Sequence, residues 1–126
     1  MKKLLIFALV LTLLSAGLPV LVAQAQTVTD CQVLIDQTAA DLAGVTIGGN
    51  NAEQTRAGLN AKLTDASTKL AEGKYQDAIA KLLDFETTVE KLATAAKPKI
   101  SQADAQLLIA DADAAIACIQ GLIAEG

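Results

Sequence analysis

The chain has 126 residues, 14 acidic and 10 basic side chains and no histidine, for a formal charge of −4. The acidic balance argues against nucleic acid or an anionic membrane surface as partner, since both reward a basic stripe. The missing histidine removes most zinc sites and the Ser-His and Cys-His nucleophilic schemes.

The first segment, MKKLLIFALVLTLLSAGLPVLVAQAQ, sets Lys2 and Lys3 before an apolar run from Leu4 to Leu14, a break at Gly17 and Pro19, and small residues at Ala23 and Ala25. That order is a secretory signal peptide over residues 1–25, with cleavage after Ala25. The run is shorter than the roughly 20 residues a bilayer span requires. Beyond it the sequence reading finds no second span, and residues 26–126 are expected to form one soluble domain, periplasmic or extracellular. Its charge is −6, from 8 basic and 14 acidic side chains. Tyr75 and Phe85 are its only aromatics and tryptophan is absent, so its core must be built from Leu, Ile, Val and Ala.

In an exported chain, exactly two cysteines, Cys31 and Cys118, read as a single disulfide between the first and last helices. Lipidation at Cys31 is disfavoured, because Asp30 stands where such sites want a small neutral residue.

Four helices are expected, at about 30–43, 51–72, 75–96 and 102–124, giving an all-α four-helix bundle. The first follows a capping-box pattern at Thr29 and Gln32 and directs Cys31, Leu34, Ile35, Thr38 and Leu42 inward. VTIGGNN then reads as a flexible connection broken by Gly48 and Gly49, with Asn50 and Glu53 as the next cap. Helix two has Leu59, Leu63, Ala66 and Leu70 on one face and stops at Gly73. Helix three has a stripe of Ala78, Ile79, Leu82, Phe85, Val89, Leu92 and Ala96 and ends ahead of Pro98. Ser101 and Asp104 cap helix four, whose inward residues are Ala105, Leu108, Ala112, Ala115, Ile116, Ile119 and Leu122.

The stretch KLAEGKYQDAIAKLLDFE has the look of a tetratricopeptide corner, but such arrays need self-similarity at about 34 residues, and Gly73, Tyr75 and Ala78 have no counterparts at that spacing. Residues Leu59 to Ile119 instead resemble the FIMAH domain, a small helical module of secreted and surface-attached bacterial proteins, often appended to hydrolases and polysaccharide-degrading enzymes. The likeness rests on Leu63, Ala66 and Leu70, the Gly73 turn, Ala78 and Leu82, Phe85 and Val89, the Lys99-Ile100-Ser101 step, and Ala105, Leu108, Ile109 and Ala112. It departs where Ala95-Ala96-Lys97-Pro98 replaces the family's glycine ahead of that step. The resemblance implies an extracellular accessory or binding domain and carries no catalytic residue.

For chemistry, Asp111 and Asp113 stand two apart on a helix and therefore point to different sides, as do Asp84 and Glu86. They read as a solvated face. Neither a calcium loop nor a phosphate loop is present. No cofactor or metal is expected, and the protein is read as a non-enzyme. Candidate binding surfaces are a polar edge of Thr38, Asn50, Asn51 and Thr55, and the corner formed by Lys74 and Tyr75. The expected partner is a polysaccharide or a protein of the envelope or medium. The alternative is a carrier that holds a small apolar ligand in the bundle core.

Overall fold

A computed structural model describes residues 27–125; the expected signal peptide, residues 1–25, lies outside them. The described residues form four helices, α1 (Val28–Gly44), α2 (Ala52–Ala71), α3 (Tyr75–Thr94) and α4 (Gln102–Glu125). Each packs on its neighbours, α1 with α2, α2 with α3, α3 with α4 and α4 with α1, which closes an up-and-down ring. Cross-links confirm the antiparallel order. Gln32 Nε2 near the start of α1 donates to the Ser67 carbonyl near the end of α2 (3.0 Å), and Lys62 Nζ of α2 meets Asp84 Oδ2 of α3 at 2.7 Å.

Helical periodicity accounts for the core. Leu59, Leu63, Ala66 and Leu70 of α2 are all buried, as are all seven residues expected inward on α4. On α1, Cys31, Ile35, Thr38 and Leu42 are buried while Leu34 is half-buried at the edge. On α3 the stripe ends at Ala93 rather than Ala96. Ala95 already turns to extended backbone at φ −63°, ψ 158°, so Ala96 falls outside the helix and is exposed. Phe85 sits fully buried in the middle of the bundle.

The helix ends correct two expected caps. Helix α1 starts earlier than its Thr29 and Gln32 pattern suggests. Thr27 is the N-cap, its Oγ1 accepting from Asp30 N at 3.0 Å while Asp30 Oδ2 accepts from Thr27 N at 3.1 Å. The shorter Asp at the third helical position does the work usually given to Glu or Gln. Asn51, not Asn50, precedes α2, and its side chain makes no capping bond. The α2–α3 corner is as expected: Gly73 has φ +79°, its N–H donates to Leu70 O (3.0 Å), and the Lys74 N–H donates to Lys69 O (2.8 Å). Those two bonds are a Schellman closure, satisfying carbonyls that the helix end leaves unpaired. Ser101 caps α4, its Oγ accepting from Asp104 N at 3.0 Å.

A disulfide joins Cys31 to Cys118 with a Cα–Cα separation of 5.6 Å, spanning 87 residues of sequence. A loop of that length stabilises by about 4–5 kcal/mol in the chain-entropy model. The bond suggests an oxidising, exported environment. One reading is corrected. Helix α4 is long and apolar enough to cross a membrane by length and composition, so a candidate span does exist beyond the leader. In the bundle, α4 is the helix whose inward residues pack against both α1 and α3.

Candidate functional site

At one end of the bundle the α1–α2 connection (45–51) meets the α3–α4 connection (95–101). The first was expected to be flexible, yet it is anchored. Val45 and Ile47 point into the core and Thr46 between them points out, a period-2 alternation too short to register as a strand. On the facing loop Ile100 is buried. Backbone bonds lock the two together: Gly48 N–H donates to Lys99 O at 2.8 Å, and Lys99 N–H donates back to Leu92 O of α3 at 3.0 Å. Gly49, at φ +92°, lies under the Lys99 side chain; a Cβ there would stand 3.4 Å from Lys99 Cε, besides the strain of its left-handed backbone.

Between these loops lies an open cleft of about 500 Å³, lined by Thr46, Gly48, Pro98, Lys99, Ile100, Ser101 and Asp104. Its wall combines an apolar surface from Pro98 and Ile100 with hydroxyls, one cation and one carboxylate. Such a lining can hold a polar ligand in one orientation. It offers no nucleophile paired with a base.

The sequence-predicted surfaces separate. Asn50 and Asn51 are exposed beside the loop-end cleft, although neither lines it. Thr38 does not belong to a polar edge; it is fully buried and its Oγ1 donates to Leu34 O of its own helix at 2.9 Å. Lys74 and Tyr75 sit at the opposite end. The 20 residues of α2 lie between the two regions, about 30 Å at 1.5 Å per residue. There Lys74 pairs with Glu72 at 3.3 Å and Tyr75 is half-buried against the core. A second, smaller groove of about 170 Å³ runs between α1 and α2 over Ile35 and Leu63.

Sequence reading missed the main electrostatic feature. Asp111 and Asp113 do face different sides of α4, and each meets a carboxyl group from a neighbouring helix. Asp111 faces Asp41 of α1; burial, then its hydrogen bond and repulsion with Asp41, push its carboxyl up to about 6. Glu86 of α3 faces Asp113; burial, then the hydrogen bond and repulsion with Asp113, and repulsion from Glu90, push Glu86 up to about 8. Two carboxylates cannot donate to one another, so each contact is a hydrogen bond only while a proton is shared. Glu86 Oε2 and Asp111 Oδ2 are both buried and have no hydrogen-bond partner. Only the two-apart spacing on α4 hinted at this in the sequence; the partner acids come from helices far away in the chain. Among the described residues no group of three or more His, Cys, Asp or Glu side chains is placed to hold a metal ion. No family model, curated protein or solved structure matches the chain.

Proposed function

We propose that the protein is an exported, non-catalytic binding or accessory module whose loop-end cleft engages a surface polysaccharide or another protein of the envelope or medium. The observation that carries this reading is the cleft, of about 500 Å³, built from two loops tied by the Gly48–Lys99 bond. Loops held on a rigid scaffold are where binding residues concentrate. Two further features support it. The disulfide fits an oxidising compartment, and the Lys99-Ile100-Ser101 step, part of the resemblance to FIMAH domains, forms one wall of the cleft. The apolar-carrier alternative has less support, because the bundle centre is occupied by Phe85, Leu59, Leu82 and Leu108, all essentially inaccessible to solvent.

Binding of the oxidised chain to immobilised cell-wall polysaccharides and to envelope and medium proteins of the source organism tests the proposal. Thr46→Arg places a bulky cation on the exposed wall of the cleft, and Lys74→Glu alters the far end. Saturable binding that falls at least about tenfold with Thr46→Arg and is unchanged by Lys74→Glu is expected. Binding sensitive only to Lys74→Glu would move the site to the α2–α3 corner, and no saturable binding would overturn the proposal.

A further inference from the structure

On the α1–α2 flank lies the groove of about 170 Å³, which shares no lining residue with the loop-end cleft. The side chains on its walls are short. Helix α1 contributes Asp36 and Ala39, and α2 contributes Asn60, Thr64 and Thr68, a single row at four-residue spacing. That row runs about 12 Å along the helix at 1.5 Å per residue. Beneath it the buried Ile35 and Leu63 form an apolar floor. At one end the two helices are tied: Gln32 Nε2 donates to the Ser67 carbonyl at 3.0 Å, and Ser67 Oγ donates to Gln32 Oε1. The tie fixes the spacing of the walls and leaves Ser67 Oγ, which also lines the groove, able to accept a further bond.

The polar row is unengaged. Thr38 of α1 and Thr87, Thr88 and Thr94 of α3 turn their hydroxyls back onto carbonyls four residues earlier, at 2.8–3.0 Å. The side chains of Asp36, Asn60, Thr64 and Thr68 instead bond to nothing among the described residues. Their chemistry selects among ligands. Amide and hydroxyl side chains both donate and accept, whereas the Asp36 carboxylate only accepts. No cation lines the groove, so a phosphate, sulfate or carboxylate would meet Asp36 without a counter-charge. A matching ligand carries several neutral hydroxyls beside an apolar face.

We propose that the α1–α2 groove is a binding site for a neutral sugar unit. The sugar's hydroxyls donate to Asp36 and exchange hydrogen bonds with Asn60, Thr64 and Thr68, while its C–H face rests on Ile35 and Leu63. The groove is smaller than the roughly 300–1,000 Å³ of pockets that enclose a whole drug-sized ligand, so it seats one sugar unit and leaves the rest of a glycan outside. Few contacts and an open wall give a Kd on the order of 1 mM. The acidic balance of the chain, which disfavours anionic glycans, does not oppose a neutral one. The site works independently of the loop-end cleft.

Amide NMR of the oxidised chain, titrated separately with cellobiose, maltose, N,N′-diacetylchitobiose, digalacturonate and tetra-alanine, is the test. At least one neutral disaccharide is expected to shift the amides of residues 35–39 and 60–68 saturably, and digalacturonate to leave them unmoved. Thr64→Val with Thr68→Val removes two hydroxyls at exposed positions and keeps their shape; it is expected to weaken binding about tenfold. Thr64→Ser with Thr68→Ser is expected to retain binding, and Thr46→Arg at the cleft to leave it unchanged. If the valine pair fails to fold, Asn60→Ala is expected to weaken binding severalfold. No saturable shift with any neutral disaccharide, shifts confined to residues outside the groove, or equal binding of digalacturonate would overturn the inference. So would a response to tetra-alanine alone, or binding indifferent to both the valine pair and Asn60→Ala. Saturable binding at the cleft with a silent groove would overturn only this inference, and binding in the groove with a silent cleft only the proposed function.

Discussion

The α2–α3 seam and the two seams of α4 solve the same problem, how charged side chains are carried along a helix–helix contact, in opposite ways. On the first, Lys62 and Asp84 stand opposite one another and in solvent; their hydrogen bond and attraction hold Asp84 below its ordinary value. On the second, Glu86 and Asp111 are half-buried with another acid as neighbour, and burial first, then that neighbour, holds both above their ordinary values. A complementary exposed pair contributes little to stability and little pH dependence in the neutral range. A half-buried carboxyl beside another acid instead favours keeping its proton, which makes its contribution depend on pH. The acidic character of the chain thus matters less through its net charge than through where two of its acids are placed.

The comparison can be broken or sharpened by substitution. The largest effect is expected from the covalent tie at the end of α4: Cys31→Ala with Cys118→Ala should cost about 4–5 kcal/mol in denaturant unfolding. Next comes Glu86. Its folded value lies above its unfolded one, so its contribution is fully present below about 4.5 and is lost as pH rises through about 8. Wild-type stability should therefore fall between pH 6 and 8.5, by an amount on the order of 1–2 kcal/mol once solvent screening is allowed for, and Glu86→Gln should flatten that slope. Gly73→Ala comes third. Space around the residue is open, so only the strain of φ +79° acts, about 1 kcal/mol by thermal unfolding. Asp111→Asn follows with a smaller effect at lower pH, in a window between its ordinary 3.8 and about 6. Smallest of all is Lys62→Met on the α2–α3 seam, expected to be nearly neutral in Tm at pH 7; a large loss there would dissolve the contrast between the seams.

Much of this fold is legible in the sequence because a 3.6-residue period alone decides which face is buried. The inward residues of α2 and α4 follow from it directly, and Gly73 marks its corner because only a residue without Cβ is at ease there. What is lost is what depends on competition or distance. Thr27 with Asp30 outcompetes Thr29 with Gln32 as the cap, although both fit the spacing of a box. Val45 and Ile47 alternate for too few residues to show that the connection is anchored. The cleft arises where two loops about 50 residues apart in sequence lock through Gly48 and Lys99, and nothing local announces the bond. Asp41–Asp111 and Glu86–Asp113 are legible only to the extent that two acids on α4 must face different neighbours.

The most direct test is the titration of one carboxyl group. In the oxidised protein, the side-chain carboxyl carbon of Glu86, followed by NMR between pH 3 and 10, is expected to titrate near pH 8, with the amide signals of Asp111 to Ala114 shifting in step. A midpoint close to the ordinary 4.5, with those amides unmoved above pH 6, would contradict the account.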